Sequence, residues 1–108
     1  MVNIYGLPDE LRHLLPEGWE EGYEIADSLN ALVWDVRSER DRELADEYVS
    51  HREAGFAIWL ACYVAAENGV TIPADLLEGA LKYGAWDALP PIPEQMAKLH
   101  ERAALAAA

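Results

Sequence analysis

The chain of 108 residues is poor in positive charge, with eight Lys and Arg against 20 Asp and Glu and a formal net charge of −12. That shortage argues against direct contact with nucleic acid or an anionic membrane surface, because both would repel it. Cysteine is nearly absent. Cys62 stands alone, so no internal disulfide can form, which suits a reducing, cytoplasmic setting. Long apolar runs are also missing. The longest uncharged stretch runs from Ala54 to Ala66. As a helix it would reach roughly 20 Å, too short for a hydrocarbon core of ~30 Å. Met1 to Gly6 carries no basic n-region, so no secretory leader is expected.

Catalytic and metal-binding patterns are equally scarce. There is no His-x-x-x-His and no cysteine pair, and the chain does not hold Glu-x-x-His twice, as a di-iron bundle needs. Glu47 and His51 sit four residues apart, a helical spacing able to share a metal, but they have no companions. Neither Ser28 beside Asp27 nor Ser50 beside His51 lies in a Gly-x-Ser-x-Gly elbow. Cys62, inside the apolar run, reads as a small buried hydrophobe. No enzyme activity, cofactor or metal is therefore expected.

The residues present point to one folded domain over 1–108. The apolar share is 52%, with four Trp and five Tyr. That is enough for one core at this length and unlike an aromatic-poor acidic disordered chain. Helical periodicity dominates. Leu11, Leu14 and Leu15 suggest a short helix between Pro8 and Pro16. Ile25, Leu29, Leu32, Val33 and Val36 form a stripe over about 20–37. The polar stretch Ser38 to Glu43 predicts a break, with Ser38 as an N-cap ahead of Asp41. A long central helix is expected over about 44–68. Its apolar face comprises Leu44, Tyr48, Phe56, Trp59, Leu60, Tyr63 and Val64, and Gly55 would permit close approach of a neighbour. Asn68-Gly69 should stop it.

Pro73 and Pro93 should open two further helices, with Gly84 between them and a stiff Pro-rich link at 90–93. Leu76, Leu77, Ala80 and Leu81, and then Met96, Leu99, Ala103 and Leu105, would face the core. Trp86 and Leu89 should fold back onto it. Only short extended pieces, at 2–5 and 70–72, compete with helix. The expected fold is an all-α bundle of four to five helices around the central apolar one. The helix–turn–helix outline over 67–83 carries Lys82 as its only base after the turn, which argues against a DNA-reading helix.

The acids are concentrated: 12 of the 20 lie within residues 17–53, against four Arg. Glu17, Glu20, Glu21 and Glu24 would share one face of a helix, and no base lies between 13 and 37 to offset them. Asp27 extends this group, and Trp19 within it is a candidate interface anchor. Asp35, Glu39, Glu43 and Glu47 continue the charge. Here Arg37 could pair with Asp41, and Arg42 with Asp46, four residues on, giving a partly self-neutralised solvated face.

An anionic helical surface suits a basic partner, most naturally a protein that handles nucleic acid and whose binding groove expects regular negative charge. The alternatives are a purely solubilising surface, or a structural helical protein that forms a homodimer through helix 54–66 or 93–107. In size, charge and helix content the chain resembles the small acidic inhibitors carried by phages and mobile elements. These include anti-restriction and anti-CRISPR proteins, some of them DNA mimics. It is similar in the same respects to the immunity proteins that neutralise bacterial nuclease toxins. The resemblance implies a non-enzymatic inhibitor; it aligns no residues and transfers none.

Overall fold

A computed structural model of the chain describes residues 19–50 and 53–107, with side chains from 20–48 and 53–107. Five α-helices occupy these residues, and no strand is found among them. They are α1 (Trp19–Val33), α2 (Glu39–Ser50), α3 (Ala54–Glu67), α4 (Ala74–Tyr83) and α5 (Pro93–Ala107), with a 3-10 turn at Trp34–Val36. The fold is the expected all-α bundle. The short helix expected over 9–15 and the extended piece at 2–5 lie outside the described residues.

The boundaries follow local chemistry. Ser38 Oγ accepts the Asp41 backbone N–H at 3.1 Å, the side-chain cap expected at the start of α2. Gly69 takes φ +72°, the left-handed conformation that ends α3 at little steric cost. Pro73 immediately precedes α4, and Pro93 opens α5. Gly84 ends α4 for a packing reason. The Trp86 indole folds back to donate to Ala80 O at 3.0 Å, and a Cβ on Gly84 would lie 2.4 Å from its Nε1.

The predicted central helix over 44–68 is corrected by the structure: it is two helices, α2 and α3. The residues between them, 51–53, are polar or charged throughout, so continuing the helix there would bury nothing. Breaking it lets α2 fold against α3, where the Tyr48 and Phe56 rings meet edge to face at 5.6 Å. The Glu53 N–H closes the turn on Tyr48 O. Gly55 at the start of α3 admits the backbone of Ala85, whose N–H bonds Gly55 O at 3.1 Å.

α3 is the centre of the bundle and packs on all four other helices. Its buried face is Ile58, Ala61, Cys62 and Ala65, joined by Leu29 and Val33 of α1, Leu77 of α4, Leu99 of α5 and Ile72 of the connector. The predicted aromatic face is revised accordingly. Phe56, Trp59 and Tyr63 sit at the half-buried margin, and small side chains occupy the middle, where helices approach closely. Trp59 and Tyr63 stack on each other, and the Trp59 indole pins the Pro-rich link by donating to Pro90 O at 3.0 Å. Trp86 packs against the core as expected. Leu32, Val36, Leu81 and Leu105, assigned to apolar stripes by periodicity, are exposed. Arg102 of α5 reaches the end of α3 and donates to Ala65 O, Ala66 O and Val70 O. It thereby satisfies carbonyls that a helix terminus leaves open.

Candidate partner-binding surface

The side of α1 turned away from Leu29 and Val33 carries the acidic residues. Glu20, Glu24 and Asp27 follow one another at helical spacing and share that face. The two glutamates are exposed, and Asp27 is half-buried at its edge. Glu21 points elsewhere. It turns to α4, where its carboxylate accepts the phenol proton of Tyr83. The Lys82 ammonium lies 5.1 Å from the centre of the Tyr83 ring. Its pKa is raised by its bond to Tyr83 and, to a lesser extent, by Glu21 and Glu78. The expected stripe is thus divided. No base is near Glu21 in sequence, but the antiparallel packing of α1 and α4 brings one from 61 positions away. Glu17 lies outside the described residues, and Trp19 enters only through its backbone at the start of α1.

On α2 the exposed side bears Glu39, Glu43 and Glu47, with Arg40 beside them. Glu43 and Glu47 flank Leu44 in a shallow groove. Asp35, exposed in the 3-10 turn, joins the two acidic helices. α1 and α2 share no substantial interface of their own; each packs on α3. The candidate surface therefore consists of two acidic helix faces connected through the turn that holds Asp35.

The arginines behave differently from the sequence expectation. Arg37 precedes α2 instead of lying on it, and is 5% exposed. Burial lowers its pKa, an effect opposed by nearby Asp41 and Asp46. Its Nε and Nη1 have no hydrogen-bond partner among the described residues. Arg42 turns back onto the 3-10 turn. Its Nε and Nη2 both donate to Trp34 O, at 3.1 and 3.0 Å, and its guanidinium lies 5.2 Å from the Trp34 ring centre. Two of the three bases expected to balance α2 are thus directed inward. The outward face is more anionic than the local count of six acids and three arginines suggests.

Sequence reasoning missed the acidic pocket between α1 and α4, of about 290 Å³, which Glu21 shares with Asp75, Glu78 and Lys82. The signal available was the spacing of Asp75, Glu78 and Lys82 on one face of α4. Among the described residues no group of three or more His, Cys, Asp and Glu is placed to hold a metal ion. His51, four residues after Glu47, and His13 lie outside them. No helix among the described residues is long and apolar enough to cross a membrane. No protein-family model matches the chain, and no curated protein or solved structure matches it either.

Proposed function

We propose that this protein is a non-enzymatic inhibitor that docks the acidic faces of α1 and α2 on a basic, nucleic-acid-handling protein. The observation that carries the reading is the exposure of Glu20 and Glu24 on α1 together with that of Glu39 and Glu43 on α2, where Arg37 and Arg42 turn inward. Carboxylates on successive helical turns offer regularly spaced negative charge, as a nucleic-acid backbone does, and would steer association with a basic groove. A DNA-mimicking inhibitor of the anti-restriction or anti-CRISPR type, acting in the cytoplasm, is the most specific form of this reading. Toxin neutralisation of the immunity type uses the same electrostatics.

The test is capture from a bacterial lysate at low and high salt, with the captured protein identified and challenged with duplex DNA. Capture at low salt, release at high salt and displacement by DNA are expected. Glu20→Lys with Glu24→Lys, and separately Glu39→Lys with Glu43→Lys, should each weaken binding about tenfold or more while leaving the helical fold intact. Binding indifferent to salt and to both double variants refutes the proposal.

The structural alternative is a homodimer through α3 or α5; most of α3 packs on the other helices, which favours α5 of the two. Leu105, 69% exposed on α5, keeps that face open.

A further inference from the structure

α4 separates two unlike depressions that share Glu78. On one side, towards α1, is the acidic pocket holding Asp75 and Glu21. On the other, against α5, runs an apolar cleft of about 340 Å³. Its floor is Leu77 and Ala103, its rims are Leu81, Ala104 and Ala107, and among the described residues Glu78 and His100 are the ionisable side chains that line it. Leu81 is 43% exposed at the cleft, and the alanines leave room for larger side chains to enter. Two packed helices with an apolar trough between them form the receptor geometry for a third amphipathic helix, which inserts side chains at every third or fourth position.

We infer that the α4–α5 cleft docks an amphipathic, basic helix of a partner protein. Its apolar residues would seat against Leu77, Leu81 and Ala103, and its cations would meet Glu78 and the acidic pocket beyond. Charge selects this occupant over a second copy of the chain. A two-fold contact on this face would bring Glu78 of one copy against a second molecule of net charge −12, and like charges so juxtaposed oppose association. A cationic helix meets opposite charge in the same place. This inference rests on the reading that the partner is basic, and it assigns that partner a second point of attachment away from the acidic faces of α1 and α2.

The experiment uses the full chain and a fluorescent synthetic helix of about four turns, with Leu along one face and Lys along its flanks. A peptide of the same composition, scrambled to remove the apolar face, is the control. Binding is followed by anisotropy and mapped by backbone amide shifts. The amphipathic peptide should bind at least about tenfold more tightly than the scrambled one, with shifts concentrated on residues 74–83 and 100–107. Leu81→Glu should abolish the preference, Ala104→Glu should do the same from the α5 side, and Glu78→Lys should weaken binding. All three positions are exposed, and circular dichroism confirms that each variant stays folded.

Equal binding of both peptides, shifts confined to α1 and α2, or no binding overturns the inference. So does a sedimentation result in which the chain alone dimerises through these residues. Because the native partner takes no part here, failure of this assay leaves the reading of α1 and α2 standing. Failure of the salt-dependent capture with success of the peptide assay would remove that reading alone.

Discussion

The phenol of Tyr83 on α4 donates its proton to the carboxylate of Glu21 on α1, side chain to side chain across 62 positions of sequence. This bond has a consequence for pH. The Tyr83 pKa is raised from its ordinary 10.0, first by the bond to Glu21 and then by loss of solvent, with Lys82 partly opposing. The folded chain therefore keeps a proton that the unfolded chain releases. The stabilisation is complete below the unfolded value and is lost as pH rises through the folded one. Urea unfolding between about pH 8 and 11 should show wild type losing stability more steeply than Tyr83→Phe. Parallel curves would contradict the assignment.

Arg102 should be worth more than its position on a partly exposed helix suggests. Replacing it with Met removes the guanidinium from Ala66 O and Val70 O at and beyond the end of α3, while Ala65 O keeps the Val70 N–H. A loss of about 2 kcal/mol is expected by chemical denaturation. Arg102→Lys should recover only part, because an ammonium cannot reproduce the guanidinium fork.

Arg37 makes the opposite case. Its guanidinium is buried, and two of its nitrogens lack partners among the described residues. A buried charge held this poorly offsets little of its desolvation cost. Arg37→Met should therefore leave stability within about 1 kcal/mol of wild type, or raise it. A loss as large as that of Arg102→Met would show that Asp41 and Asp46 hold Arg37 more firmly than its hydrogen bonds indicate.

Gly84 tests the turn after α4. An alanine Cβ there would meet the Trp86 ring at 2.4–2.6 Å and Ala80 O at 2.9 Å. The ring must leave, and its bond to Ala80 goes with it. Gly84→Ala should cost about 1–3 kcal/mol. Adding Trp86→Ala should cost less in that background than in wild type, because the displaced ring has already lost its seat. Additive losses would mean that the indole and the glycine are independent.

Cys62 is fully buried on α3, and burial pushes its thiol up to about 12. A disulfide reagent at mildly alkaline pH should react with it only as fast as the molecule opens, and at once in denaturant. Rapid labelling of the native chain would place the thiol nearer the surface than the structure does.

The sequence revealed those parts of the fold that depend on local chemistry. Pro73, Pro93, Gly69 and the Ser38 cap mark real boundaries because a proline ring, a left-handed φ or a side-chain cap acts over a few residues. Periodicity reveals faces but not what covers them, so it assigns Leu32, Leu81 and Leu105 to the core although they lie at the surface. The break after α2 was hidden because Tyr48 and Phe56 keep helical spacing across it; their contact comes from folding back, not from a continued turn. On the candidate surface, the exposure of Glu20, Glu24, Glu39 and Glu43 agrees with the pattern. The diversion of Glu21 to Tyr83 and of Arg42 to Trp34 could not be read from it, since each depends on which helices become neighbours.

Arg102 belongs to α5, but the carbonyls it closes belong to the end of α3. The last turn of α3 therefore cannot fray freely while α5 stays docked, and α5 cannot detach without loosening the central helix. Amide protons of the two helices should exchange with solvent at a common free energy, as one cooperative unit. A single proteolytic cut in the Pro-rich link before α5 would then threaten the whole bundle and not merely its last helix.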